Sequence, residues 1–128
     1  MNDQITTLNE LKKLLAQFVE ERDWQQYHTP KSLSMSIAIE AAELMEHFQW
    51  CGNRESIKEL EEHRQEVAFE LVDVLSNVLN LASRYNIDLA QTLEQKMEQT
   101  RNRYPVELVK GSRQKYLEQK KRTRQEKA

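Results

Sequence analysis

Three observations predict an all-α fold. Gly and Pro are scarce, two of each in 128 residues, which leaves too few breakers for a turn-rich β-sheet architecture. Apolar residues recur three and four apart along most of the chain, the spacing of one face of an α-helix. Charged residues reach 31% against 38% hydrophobic, a balance that suits helices with long solvated faces. The expected architecture is a four-helix protomer whose helices are shared across an oligomer.

The first helix is expected from about Thr7 to Glu21, with Leu8, Leu11, Leu15, Phe18 and Val19 on one stripe. An aromatic connection, RDWQQYHTP, follows. Thr29 then Pro30 reads as a start, a capping hydroxyl before a proline placed where its missing N–H is not needed. The second helix is expected to run to about Trp50, where CGN breaks it. A third, capped by Ser56, is expected from Ile57 to about Tyr85, and its apolar second half, VAFELVDVLSNVLNLA, makes it central. Asn86 ends it, Asp88 caps a fourth from Leu89 to about Arg103, and RYPVELVKGS reads as a non-helical strap. Residues 1–116 are expected to form a single helical domain, and residues 117–128 a basic, disordered tail.

Composition narrows the setting. The net charge of −2 conceals an acidic body and a basic end: residues 1–109 hold 11 Lys and Arg against 19 Asp and Glu, whereas residues 110–128 hold 8 against 2. Such an acidic body argues against a nucleic-acid partner, although the basic end could contact phosphate backbone weakly. Cys51 is the single cysteine, so neither an intramolecular disulfide nor a Cys-based zinc site can form within one chain. No stretch approaches the roughly 18 apolar residues of a membrane span, and the first residues lack a signal-peptide core. A cytoplasmic protein with no membrane association is expected.

The informative anomaly lies in SIAIEAAELMEHFQW. On a helical wheel, Leu33, Ile37, Ala41, Leu44 and Phe48 form the apolar stripe, yet Glu40 falls inside it and Glu43 borders it. The next helix repeats the pattern, with Val67, Leu71, Val74, Val78 and Ala82 as the stripe and Glu70, Asp73 and Asn77 along its edge. Residues three apart on a helix are neighbours on its surface. Antiparallel packing through these stripes would gather Glu40, Glu43, Glu70 and Asp73 in one place. Four close carboxylates repel unless a cation lies between them. An all-oxygen set without Glu-x-x-His spacing excludes the di-iron bundle pattern and suits Mg²⁺ or Mn²⁺, hard ions that complete their shells with water and phosphate oxygens.

The flanks supply what a nucleotide needs. Trp24, His28 and Trp50 border the second helix, and aromatic planes beside a phosphate-handling site can stack a base. Downstream cations, Lys96, Arg103 and Lys110 among them, could neutralise a triphosphate.

Taken together, ERDWQQYHTPKSLSMSIAIEAAELMEHFQW, EVAFELVDVLSNVLNLA and KMEQTRNRYPVELVKGSRQKY resemble the MazG-like all-α nucleoside triphosphate pyrophosphohydrolases of the dCTP pyrophosphatase type, over about Phe18 to Tyr116. The resemblance implies Mg²⁺-dependent hydrolysis of a (deoxy)nucleoside triphosphate to monophosphate and pyrophosphate, by a homodimer or homotetramer. By position it implies that Glu40, Glu43, Glu70 and Asp73 hold metal, that Glu40 or Glu43 activates the water, that Trp24, His28 and Trp50 line the base pocket, and that Lys96 approaches the phosphates. Asn77 stands where the family pattern has Tyr, and Thr100 where it has Asn, both facing sugar or base, so the resemblance does not carry base preference over. Two alternatives follow from the same residues: a non-catalytic helical scaffold with surface acids, and a dUTP- or phosphoribosyl-ATP-hydrolysing relative.

Overall fold

The computed structural model describes residues 1–127. Among them there is no strand. Helices α1 (Leu8–Glu20), α2 (Pro30–Glu46), α3 (Asn53–Glu62), α4 (Arg64–Arg84), α5 (Leu89–Arg103), α6 (Val106–Val109) and α7 (Arg113–Glu126) are joined by short turns, one of them a 3₁₀ turn at Trp24–Tyr27. The chain forms two compact units, Met1–Ile87 and a second from Asp88 onward.

Local chemistry explains most boundaries. Thr7 and Glu10 close a capping box on α1: the Thr7 side chain accepts the Glu10 N–H, and the Glu10 carboxylate accepts the Thr7 N–H at 2.7 Å. Those bonds hold the Glu10 carboxyl below the usual carboxylate range. Thr29 caps α2 by accepting the Ser32 N–H at 3.1 Å, with Pro30 at the first position, as its sequence predicts. Asp88 caps α5 through the Gln91 N–H. At the end of α4, Asn86 adopts a left-handed conformation (φ 55°), and the Ile87 N–H returns to the Ala82 carbonyl at 2.9 Å, a Schellman closure.

In the first unit α2 packs on α4, with α1 laid against α4. Leu33, Val67, Leu79 and Ala82 are buried between them, together with Val19 from α1. Ile37, Ala41 and Leu44 complete the inward stripe of α2 as half-buried residues, and Phe48, in the turn after it, is half-buried too. On α4 the expected stripe holds except at Leu71, which is 53% exposed, while Leu79 is the most deeply buried side chain.

Four expectations are corrected. The protomer has seven α-helices among the described residues rather than four. The predicted continuous helix Ile57–Tyr85 is two helices, bent at His63 (φ −118°, ψ 30°). Two hydrogen bonds bracket the bend, His63 N–H to Glu59 O and Val67 N–H to His63 O, both 3.0 Å, and the apolar period runs through it. Gly52, not Ser56, caps α3, and the Ser56 hydroxyl donates instead to the Asn53 carbonyl. The second helix stops at Glu46, so Trp50 lies in the following turn.

The second unit also departs from expectation. The strap contains the single-turn helix α6, and most of the segment expected to be a disordered tail belongs to α7; Ala128 lies outside the described residues. Ser112 caps α7 through the Lys115 N–H, the Tyr116 ring packs on Tyr104 with centroids 5.3 Å apart, and Gln119 donates to the Arg103 carbonyl at 2.7 Å. These anchors offset the polar composition. Gly111, at φ 72°, makes the left-handed turn between α6 and α7 that a side chain would strain.

Because Leu79 is 1% exposed at the helix junction, Leu79→Ala is expected to destabilise the protein by about 3 kcal/mol through lost burial and an unfilled cavity. Urea unfolding of the two proteins measures the difference, and an effect of a few tenths would show that this junction is not the core.

Candidate active site

The site sits on the face of α2 and α4 beside the buried stripe. Tyr85, at the end of α4, donates from its hydroxyl to the carbonyl of His28, just before α2, at 3.0 Å. The two helices therefore run antiparallel, and the second half of α2 meets the first half of α4. Glu40, Glu43 and Glu70 converge there, each offering a carboxylate oxygen within 4.8 Å of the others. Asp73 stands outside that trio, exposed on the next turn of α4, yet its charge still acts on Glu40.

The electrostatics follow from this crowding. Partial burial raises the Glu40 carboxyl above the usual carboxylate range, and the charges of Glu43, Asp73 and Glu70 push it the same way. Glu70 is half-buried, and its Oε2 is sealed from solvent without a hydrogen-bond partner. A buried acceptor left unpaired is costly, and most native proteins provide each with a donor or a cation. No Lys or Arg forms an ion pair with any of these acids among the described residues. The donor set is all oxygen, and the residues present fit a hard divalent metal.

Two cavities share His28 as a lining residue. The first, about 340 Å³, is lined by Trp24, Tyr27, His28, Ser32, Leu33, Ser36 and Asn77. Ser36 lies one helical turn before Glu40 on α2, and Asn77 one turn after Asp73 on α4, where its amide donates to the Asp73 carbonyl at 3.0 Å. The cavity thus opens about 5 Å along both helices from the carboxylates, one turn of helix. Trp24 is held at its rim by an edge-on contact with Phe18, centroids 5.7 Å apart. The second cavity, about 330 Å³, lies across His28 and is lined by Ala16, Val19, Glu20, Gln25, Asn80, Ser83 and Arg84 as well as His28 itself. Burial, reinforced by the Arg84 charge, lowers the His28 imidazole below its ordinary value and so favours its neutral form.

Of the residues singled out in the sequence, the structure brings Glu40, Glu43 and Glu70 together and sets Trp24, His28 and Asn77 around one cavity. It leaves Trp50 in solvent, 91% exposed and lining neither cavity. Lys96, Arg103 and Lys110 belong to the second unit: Lys96 is exposed on α5, Arg103 is half-buried at its last position, and Lys110 is exposed after α6. Ser32 and Ser36 escaped sequence reasoning, although Ser36 precedes Glu40 by four residues and so shares its face. Gln25, whose Oε1 is also buried and unpartnered, carried no sequence signal.

Known proteins share this arrangement's sequence and fold. The MazG-like family profile matches residues 35–118. The dCTP pyrophosphatase 1 of Mus musculus is 40% identical over 114 residues, covering 88% of this chain and 67% of that protein. The Homo sapiens dCTP pyrophosphatase 1 is 39% identical over the same shares. The crystal structure of a pyrophosphatase from Archaeoglobus fulgidus superposes with a TM-score of 0.76 at 38% identity, covering 82% of this chain and 98% of that one. With the profile spanning the acid-bearing helices and most of the chain matched at such identity, the chain belongs to the MazG-like family.

Proposed function

We propose that this protein is a Mg²⁺-dependent pyrophosphohydrolase that converts a (deoxy)nucleoside triphosphate to the monophosphate and pyrophosphate, removing unwanted nucleotides from the cytoplasmic pool. Family membership and dCTP pyrophosphatase relatives over 88% of the chain make it a hydrolase acting on nucleoside triphosphates. The observation that carries the finer reading is the convergence of three carboxylates, one with a buried unpartnered oxygen, beside a cavity walled by Trp24, Tyr27 and His28.

Glu40, Glu43 and Glu70, with Asp73 as a fourth donor, would hold the metal. When bound, Mg²⁺ (or Mn²⁺) supplies positive charge against the triphosphate and makes nearby water more acidic. The chain's own residues supply the rest. Trp24 and Tyr27 offer faces on which a base can stack, and His28 and Asn77 offer hydrogen-bonding groups to its edge and to the sugar. Glu40 or Glu43 orients the attacking water and accepts its proton as the water oxygen bonds to the α-phosphorus and the bond to the pyrophosphate oxygen breaks. Pyrophosphate leaves as an anion, so no covalent nucleophile is needed. Trp50, Lys96, Arg103 and Lys110 are proposed as further substrate contacts on their chemistry, an aromatic plane and three cations suited to base and phosphates.

Apolar side chains on the outer faces of the two site-bearing helices support a homodimer or homotetramer. Met35, Ile39 and Met45 on α2 and Phe69, Val72 and Leu75 on α4 are each more than 40% exposed in the single chain. Light scattering coupled to size exclusion reads the mass directly, and a monomer at micromolar concentration would refute the assembly.

Incubation with a panel of ribo- and deoxynucleoside triphosphates, dCTP included, is expected to release pyrophosphate and no orthophosphate, and chelation of divalent ions is expected to stop it. Glu40→Gln and Asp73→Asn are each expected to lower kcat at least about a hundredfold, the scale of losing a proton acceptor or charge stabiliser. Full activity in either variant would remove that acid from the site.

A pH series tests the same cluster without catalysis. The Glu40 carboxyl is raised in the folded state, so its contribution to stability is present below the ordinary carboxylate pKa and is lost as pH rises through the raised value. In the metal-free protein, Glu40→Gln is therefore expected to raise Tm at pH 7–8 and to change it little near pH 4. Adding Mg²⁺ should raise the wild-type Tm at pH 7–8, and less so as protons compete for the same oxygens. A wild-type Tm indifferent to Mg²⁺ with nucleotide at neutral pH would favour the scaffold reading.

A further inference from the structure

The segment that walls the first cavity rests on α1 through the Phe18–Trp24 contact, and its tie to α4 is sparser. It leaves α1 through Asp23 in a left-handed conformation (φ 54°), makes four residues of 3₁₀ helix, and enters α2 at the Thr29 cap. The bonds of Gln26 to Asp23 and of Thr29 to Ser32 are local and do not fix the segment against α4. Among the described residues, the side-chain hydrogen bond that joins it to α4 is the one from the Tyr85 hydroxyl to the His28 carbonyl, 3.0 Å across 57 residues.

Tyr85 is itself well placed to act as an anchor. Its own N–H bonds the Leu81 carbonyl, the Schellman closure at Asn86 and Ile87 pins the chain just beyond it, and the Lys12 ammonium donates to the Ile87 carbonyl at 3.0 Å, tying that end to α1. His28, at the other end of the bond, is the residue common to both cavities. A displacement of its backbone would therefore reshape both cavities.

We propose that Tyr85 is a positioning residue for nucleotide binding: by donating to the His28 carbonyl it sets the spacing between the 3₁₀ turn and α4, and with it the width of the cavity between Trp24, His28 and Asn77. The inference rests on the nucleotide-site reading above. Tyr85 lines neither cavity and is not one of the acids, so it acts on how tightly and how selectively the base is held rather than on the chemical step. Tyr85 as a residue is 42% exposed, and removing the hydroxyl alone keeps the ring.

Tyr85→Phe tests this in the full-length protein. The expected result is a KM for the preferred triphosphate raised about three- to tenfold, the scale of one hydrogen bond, with kcat changed by less than about twofold. The ratio of kcat/KM between the preferred and the next-best base should fall, because a looser His28 wall discriminates less sharply. An unchanged KM and base ratio would overturn the inference, and so would a fall in kcat at constant KM, which would place Tyr85 in the chemistry. Wild-type protein that turns over triphosphates while Tyr85→Phe matches it defeats this inference alone. Wild-type protein that releases pyrophosphate from no triphosphate defeats the site reading and this inference with it.

Discussion

Mutual repulsion among carboxylates at the α2–α4 junction is the constraint on which the site depends. Glu40, Glu43 and Glu70 bring like charges within 4.8 Å, and partial burial strengthens the repulsion by removing the water that would screen it. Nothing else in the first unit neutralises them. An arrangement that opposes folding persists because the rest of the helix pair holds it, and under the proposed function what it would gain is affinity for a cation that the unfolded chain cannot match. The helices therefore carry two opposed patterns on adjoining faces, an apolar stripe that draws them together and an acidic edge that pushes them apart.

Antiparallel packing turns a linear pattern into a centre. Within each helix the acids are three apart and share a surface, but a single pair has only two carboxylates to offer. Pairing the later half of α2 with the early half of α4 joins Glu40 and Glu43 to Glu70 and brings the charge of Asp73 close. The same pairing sets Ser36 and Asn77 one turn further along their helices, so that the neighbouring cavity is aligned with the carboxylates without any long loop. The 3₁₀ turn then closes the cavity from the side, and only this wall is built from irregular backbone.

How much of this could be read from residues alone depended on whether the signal was periodic. Acids inside an apolar stripe, as Glu40, or along its edge, as Glu70, interrupt the pattern around them, and that made them visible. The caps at Thr29 and Asp88 were equally legible, since a hydroxyl or carboxylate before a helix has one main use. The bend at His63 was not, because the apolar period runs through it. Likewise α7 was hidden by its composition, as its order rests on the contact of Tyr116 with Tyr104 and the bond from Gln119 to Arg103. Ser32, Gln25 and Tyr85 gain their places from tertiary geometry, which a polar residue at an ordinary spacing does not announce.

Both helices of the site also expose apolar side chains outside the buried stripe. Met35 and Ile39 lie one turn apart on α2, Phe69 and Val72 are neighbours on α4, and each is more than half exposed in the single chain. A small protein with five buried core hydrophobics among its described residues has limited stability with which to hold a repulsive cluster. Covering those side chains with another subunit would add burial to the same two helices that the carboxylates strain, without altering the acidic edge. In that arrangement assembly and catalysis share a mechanical basis: the association that stiffens α2 against α4 also keeps the acids close enough to share an ion. Losing the interface would loosen the site without touching any residue in it.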